Sequence, residues 1–462
     1  MNTQNTKMGN YRWVICSLLF FATTINYMDR QVLSLLKPTL EEQFGWSNSD
    51  YADIAAVFQF VYAISMLFAG RFVDRFGTKW GYAWSIILWS VGAVIHAYAI
   101  FIGEGIIDMF GWIGIASVPV SIIGFMFARA VLAVGEAGNF PAAIKATAEY
   151  FPKSERSFAT GIFNSGANIG AVLAPLSVPW IASHWGWATA FEIVGALGFI
   201  WLIFWFVFYE KPSKQKRMSD EERAYISKDQ EEDKRRKEAG LPLEVNEKPI
   251  SWVKLLKFRQ AWAFALGKFM TDGVWWFFLF WLPGYLKDQY NIVNEDIMLP
   301  LAVLYSMTMI GSVGGGWFPK YFIDKGYSAY DGRMKAMLAI AFFPLVVLLA
   351  QPLGGYSFWA PVLLIGIGTS AHQAWSANIF TTVSDMFPRR AVASVVGIGG
   401  MAGGIGGALM TKLGGYLFDH YKALGHIETG YTIMFSICAV SYLAAWGVMK
   451  LLVPKMKIIS FD

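Results

Sequence analysis

The chain has 462 residues, of which 55% are hydrophobic, 17% aromatic and 15% charged. A soluble chain of this length divides into about three domains that each carry roughly 25% charge; this composition, with a mean hydropathy of +0.42, excludes them. Cys16 and Cys438 stand in apolar runs near opposite ends and exclude a disulfide framework or a Cys-built zinc site, and the five scattered histidines suggest no metal cluster. The prediction is an all-α polytopic membrane protein.

A helix crossing the hydrocarbon core needs about 20 mostly apolar residues. Twelve stretches qualify, at roughly 12–36, 47–69, 79–102, 117–143, 157–180, 188–209, 258–285, 297–322, 334–352, 357–384, 391–417 and 429–453. The first follows a short polar start without a small-residue cleavage site and carries Asp29 and Arg30, so it reads as a retained anchor rather than a signal peptide. The net charge of +5 says less than its placement. With a cytoplasmic N-terminus, only Lys37, Lys287 and Lys422 of the 38 basic residues fall in outer loops, and Arg30, Arg129, Lys268 and Lys412 fall within spans. The positive-inside rule then predicts that both termini are cytoplasmic.

The longest polar stretch, with the runs Lys211–Arg217 and Asp233–Glu238, divides the chain into a six-helix half at 1–209, a cytoplasmic linker at 210–257 and a second six-helix half at 258–462. The basic runs suit a solvated linker or lipid contact. The chain shows no nucleotide-binding or other catalytic domain, so ATP has no engine here. Gly397-Ile-Gly399 lies inside an apolar span and is not a phosphate cradle.

Between spans 2 and 3 stands Gly70-Arg-Phe-Val-Asp74-Arg75-Phe-Gly77-Thr-Lys79. Gly70 permits close helix approach, Gly77 a tight turn, and the charges a gate: Asp74 can meet a helix N-terminus or a basic residue of the other half only while that mouth is shut. The pattern resembles the signature of the major facilitator superfamily. Its worn echo, Asp324-Lys325-Gly326 with Arg333 and Lys335, falls six spans later, as parallel repeats would place it.

An ionisable residue within a span costs on the order of 2.5–3.5 kcal/mol and is a functional candidate by default. Span 1 holds Tyr27-Met-Asp29-Arg30, and span 4 holds Arg129 with Glu136 two turns later, about 10 Å along one face. Gly135 and Gly138 suggest a water-lined cavity wall beside Glu136. An arginine fork binds a carboxylate bidentately and keeps its proton, whereas a buried Asp or Glu changes protonation with its surroundings. Arg30 and Arg129 are therefore candidates for the substrate anion, and Asp29 and Glu136 for the coupling proton; buried structural pairing is the competing reading.

These segments resemble the anion:cation symporter family of the superfamily. Span 7, Gly267–Pro283, and span 10, Ala371–Pro388, are similar to its bacterial hexuronate transporters. The resemblance implies twelve helices in two halves, proton coupling at Asp29 and Glu136, carboxylate contact by Arg30 and Arg129, and binding-site tyrosines at Tyr27 and, on span 2, Tyr62. It also implies a span 5 polar residue at Asn164 or Asn168. Related galactonate carriers use an Asn on span 11, where this chain has only the glycine run Gly397–Gly407.

Span 10 offers His372, Gln373, Trp375 and Asn378 on roughly one stripe, suited to sugar hydroxyls and ring faces. His372 is either a proton relay or a hydrogen-bonded fixture. Of the consecutive Trp275 and Trp276, which point different ways, Trp276 is the cavity candidate. Lys268 and Asp272, four apart, suit an ion pair holding the span or touching substrate.

The expectation is a proton-coupled symporter that imports glucuronate and galacturonate through a bacterial inner membrane as a monomer. Its partners are the sugar acid, protons and membrane lipid, with no cofactor, metal or nucleic acid. An aldonate such as galactonate, or another organic anion, is the alternative cargo. A non-transporting sensor lacks a signalling domain here, and an enzyme lacks a nucleophile–base pair. Asp29, late in span 1, is expected about two turns nearer the outside than Glu136, giving sequential proton entry.

Overall fold

Long apolar runs without water must satisfy their backbone internally, which leaves helices as the building block. The computed structural model describes residues 9–114, 117–228, 252–387, 389–456 and 459, so residues 229–251 of the expected linker lie outside the described residues. The helices are α1 (Tyr11–Leu35), α2 (Lys37–Phe44), α3 (Asn48–Val94), α4 (Ala99–Phe110), α5 (Val120–Glu136), α6 (Asn139–Tyr150), α7 (Lys153–Trp185) and α8 (Trp187–Phe208). Then come a helical stretch α9 at 220–228, α10 (Trp252–Leu255), α11 (Arg259–Tyr290), α12 (Met298–Asp324), α13 (Ala329–Phe342), α14 (Ala350–Gly354), α15 (Trp359–Met386), α16 (Arg389–Ala423) and α17 (Ile427–Leu452).

Twelve spans emerge in two six-helix halves. Spans 2 and 3 share α3, which reverses at Gly77 (φ 77°, ψ 161°), a backbone region open to glycine. Span 4 is α5 with α6, and span 9 is α13 with α14 joined through the 3-10 segment Phe343–Leu349. Among the described residues, eight helical runs are long and apolar enough to cross a membrane, and one of them, Asn48–Phe110, contains the reversal. The spans below that mark are α1, α11 and α15, which carry Asp29 and Arg30, Lys268 and Asp272, and His372 and Gln373. Polar residues aimed inward lower their hydropathy, so the least apolar spans are the central ones.

Glycines set the packing within the first half. A Cβ at Gly92 would stand 2.4 Å from Leu132 N, and one at Gly135 2.3 Å from Trp89 N, so the backbones of α3 and α5 lie in contact. Gly135 and Gly138, expected to open a cavity, instead press α5 onto Trp89 and Ser85. Gly124 is tightest, its Cβ position 1.7 Å from the Ala99 carbonyl oxygen. Gly124→Ala is expected to cost about 1–3 kcal/mol by overpacking; an unchanged melting temperature in detergent would refute this contact.

The halves repeat one device near the ends of the bundle that carry the linker. Trp205 of span 6 donates to the Lys79 carbonyl (3.0 Å), and Trp446 of span 12 donates to the Met334 carbonyl (2.8 Å). The turn glycines Gly77 and Gly326, both at positive φ, precede these carbonyls. At the same end Lys79 bonds Glu210 (2.7 Å) and holds its carboxyl below the usual range. Glu222 of α9 accepts the N–H groups of Tyr11 and Arg12 (3.0 Å each), an anion at a helix N-terminus that fastens this part of the linker to α1.

Hydrogen bonds joining the halves cluster at the opposite, far end. Asp419 of α16 accepts the N–H groups of Asn48 (2.9 Å) and Ser49 (2.7 Å), capping α3 from the other half. Lys412 pairs with Asp53, Lys287 reaches Glu41 (3.4 Å), and Tyr51 donates to the Phe280 carbonyl (2.7 Å). The glycines of α16 pack it between α11 and α3: Gly406 faces Phe269 and Gly407 faces Trp276 on α11, while Gly404 faces Ala63 and Gly415 faces Ala52 on α3. Toward the linker end this contact stops, and Cβ positions at Gly70 and Gly397 meet nothing within 4 Å. Gly70, expected at a close helix approach, faces open space because the halves part there. Asp74 pairs with Lys145 of its own half (2.8 Å), and Arg75 is exposed. Removing the far-end cap with Asp419→Ala is expected to lengthen distances between spin labels at Glu42 and Leu424; an unchanged distribution would refute its latch role.

Candidate functional site

The centre is built from α1, α3, α5 and α11. α1 runs from the linker end to the far end, and helical side chains lean toward their own N-terminus. The Arg30 side chain therefore leans toward the linker end, where Glu136 Oε2 lies 2.7 Å from Nη2 and 2.9 Å from Nε, a two-nitrogen grip on one oxygen. Nη2 also approaches Asn26 Oδ1 (3.4 Å). The Arg30 carbonyl points to the far end and accepts from Arg129 Nη2 (3.2 Å). Span 4 descends antiparallel, which puts Arg129 two turns above Glu136 and lets one residue of α1 hold both.

Aromatic faces surround the Arg30 guanidinium: Tyr27 at 4.8 Å, Tyr62 at 5.0 Å, Trp276 at 5.1 Å and Phe58 at 5.4 Å. Arg129 lies deeper, fully buried against Phe58 (5.1 Å) and Phe280 (5.8 Å). Such faces stabilise a cation without neutralising it, leaving it able to exchange one anion for another. Tyr27 and Tyr62 are half-buried and form the side toward water, while Arg30 is only 4% exposed.

Several polar atoms here are buried without a protein partner: both Asp29 carboxylate oxygens, Glu136 Oε1, Arg129 Nε and Nη1, and both polar atoms of Gln59. Each orphaned group costs about 1–3 kcal/mol, so a packing role explains them poorly. Asp29 adjoins Arg30 in sequence, and Arg30 itself contacts both Glu136 and Arg129. Arg30, Glu136 and Arg129 thus form one linked cluster, with the buried, unpartnered Asp29 carboxylate on the adjacent residue of α1. Arg129, two turns from Glu136 on α5, reaches the Arg30 carbonyl, whereas Glu136 meets the Arg30 side chain where it leans back toward the linker end.

The span 10 residues do not form the expected stripe toward this cluster. His372 Nδ1 lies 2.8 Å from the Tyr442 hydroxyl and its ring stacks on Trp275 (5.2 Å). Trp375 packs edge-on against Tyr442 (5.5 Å). Asn378 donates to the carbonyls of Gly315 (2.7 Å) and Ala374 (2.8 Å). Buried amides and imidazoles in apolar spans take the nearest hydrogen-bond partner, here on α12, on α17 and on α15 itself. Gln373 is half-buried. On α7, Gly166 and Gly170 press against α1, while Asn164 is exposed and Asn168 half-buried; no hydrogen bond among the described residues ties either to the charged cluster.

Phe58, Phe280 and Gln59 enter the centre without having been assigned to it from sequence. The available signal was the spacing of Lys268, Asp272, Trp276 and Phe280, four apart along α11. Its upper members meet Arg30 and Arg129. Among the described residues no three His, Cys, Asp or Glu side chains gather as a metal site.

Two helical halves around a buried ion-pair cluster are the architecture of a membrane transporter. The family model of the Major Facilitator Superfamily matches residues 19–411, and the chain belongs to that superfamily. It is similar to the hexuronate transporter of Escherichia coli (strain K12), 29% identical over 449 residues covering 96% of this chain and 95% of that one. It is also similar to the galacturonate transporter of Dickeya chrysanthemi, 33% identical over 316 residues, 68% of this chain and 84% of that one. Among solved structures, a D-xylose-proton symporter superposes with TM-score 0.71 at 15% identity, covering 97% of this chain and all of that chain (100%). An inward-facing, occupied bacterial homologue of the human lysosomal transporter Spinster gives 0.70 at 18%, covering 96% and 98%. These superpositions speak to the fold alone.

Proposed function

We propose that the protein is a proton-coupled symporter importing hexuronates, glucuronate and galacturonate, through a bacterial inner membrane as a monomer with both termini cytoplasmic. The observation that carries this reading is Arg30, gripped by Glu136 at 2.7 Å inside four aromatic faces. A planar fork held this way suits a carboxylate, and the internal carboxylate occupies the place a substrate anion would take. The similarity to hexuronate and galacturonate transporters supports the sugar-acid class.

On this reading the far end faces the outside, and the halves meeting there correspond to an inward-open state after release. Protons taken up from outside at Asp29 and Glu136 neutralise the internal anions and free Arg30, with Arg129 behind it, for the incoming carboxylate. The neutralised centre lets the halves rock. Loss of the protons to the cytoplasm lets Glu136 reclaim Arg30 and displace the sugar acid. As the gate opens inward, Asp74 exchanges its partner in the other half for Lys145.

The test is uptake of labelled glucuronate into proteoliposomes under an inward proton gradient, with and without an uncoupler. Accumulation that the uncoupler abolishes is expected, with galacturonate competing more strongly than galactonate. Downhill entry without accumulation would refute the coupling, and stronger competition by galactonate would move the cargo to aldonates.

A further inference from the structure

The ladder on α11 continues past the anion site toward the linker end. Phe280 lies against Arg129 and Trp276 against Arg30, and Asp272 and Lys268 follow one and two turns further on. Lys268 Nζ lies 2.7 Å from Asp272 Oδ2. Both partners belong to one helix, so the pair ties no two helices together, and holding the fold accounts poorly for two charges in a span. Its surroundings are asymmetric. Lys268 is 6% exposed and sits 4.3 Å above the Phe380 ring, closed off by α15. Asp272 is 16% exposed and is the one position in 271–286 that is not buried. Gly403 of α16 makes room for its carboxylate, since a Cβ there would stand 2.2 Å from Oδ2. Of this pair, therefore, the carboxylate faces the central space and the ammonium is withheld from it.

One helical turn is about 5.4 Å, and a six-carbon chain spans about 6 Å between its end carbons. A sugar acid with its carboxylate on Arg30 thus extends its opposite end to the level of Asp272. Resting on the hexuronate reading above, we infer that Asp272 is a specificity-determining residue: it accepts hydrogen bonds from the hydroxyls at the non-carboxylate end of the substrate and rejects sugar acids carrying a second carboxylate there. A carboxylate makes strong, short hydrogen bonds to hydroxyl donors. It meets a second carboxylate as a like charge, and Lys268, already committed to Asp272 and shielded by Phe380, offers that second anion no partner. Discrimination comes from repulsion of the wrong ligand as much as from attraction of the right one.

Ligand-induced thermal stabilisation of the purified full chain, titrated with glucuronate, galactonate and galactarate, tests this. Wild type is expected to bind the diacid galactarate at least ten-fold more weakly than the monoacid galactonate. Asp272→Asn is expected to shrink that gap below three-fold while weakening glucuronate about ten-fold. Lys268→Gln/Asp272→Asn, which leaves no lone buried ammonium, is expected to behave like the single variant and serves if the latter folds poorly. Equal binding of galactarate and galactonate by wild type, or a gap unchanged in both variants, would overturn the assignment. Because this gap compares two acids other than glucuronate, an intact gap with no glucuronate uptake removes the hexuronate reading and leaves Asp272 as a diacid filter. Binding of none of the three acids overturns both.

Discussion

Glu136→Gln is expected to abolish proton-driven accumulation while leaving exchange of labelled for unlabelled sugar acid across the membrane. Glutamine keeps the shape and a hydrogen-bond acceptor for Arg30 but carries no charge to reclaim it. The guanidinium then stays available to the substrate in every conformation, and the release step loses its competitor. Charge-assisted hydrogen bonds exceed neutral ones by roughly two-fold, so sugar-acid binding should tighten by on the order of ten-fold as transport against a gradient disappears. Counterflow and gradient-driven uptake on the same proteoliposomes separate the two effects. Accumulation surviving in the variant would remove Glu136 from the coupling step and leave its bond to Arg30 a structural one.

The second large effect is at the anion site. Arg30→Lys preserves the positive charge but replaces a planar, five-donor fork with a point charge, and it cannot stack among Tyr27, Phe58, Tyr62 and Trp276 in the same way. Losing one charge-assisted bond of about 1.5–3 kcal/mol predicts an affinity fall of roughly 10- to 100-fold. Binding titration with glucuronate reads it directly, and a melting temperature within a few degrees of wild type attributes the loss to the ligand. Affinity within two-fold of wild type would refute Arg30 as the carboxylate anchor. Arg129→Lys provides a comparison: Arg129 is fully buried and donates to the Arg30 carbonyl, so its replacement bears on the position of α1 as well as on the anion.

Much of the architecture was legible because a membrane allows few solutions. Lengths of apolar sequence and the placement of basic residues are enough for twelve spans, and Gly77 is enough for the reversal between spans 2 and 3. Element boundaries were less legible. Span 4 continues through α6 to Tyr150 and span 3 through α4 to Phe110, because both run on beyond the hydrocarbon length the sequence suggests. The glycine run of α16 announced close packing, but its partners, α11 and the far-end half of span 2, are non-local choices that no spacing within α16 encodes.

The sequence by itself determined which groups carry charge into the membrane: Asp29, Arg30, Arg129 and Glu136 stand out because each is costly there. Spacing within one helix also placed Arg129 and Glu136 on one face. Only the tertiary structure decided how they combine. Antiparallel descent of α5 beside α1 put Glu136 on the Arg30 side chain and Arg129 on its carbonyl, and Trp276 closed the cage from the other half. The same packing turned His372 and Asn378 toward hydrogen-bond partners on α17 and α12 and set Trp375 edge-on against Tyr442, because the partners of a buried side chain are set by the neighbouring helices. Which of two adjacent polar positions faces water is fixed by what packs against each, and in this protein that left Asp272 open and Lys268 covered.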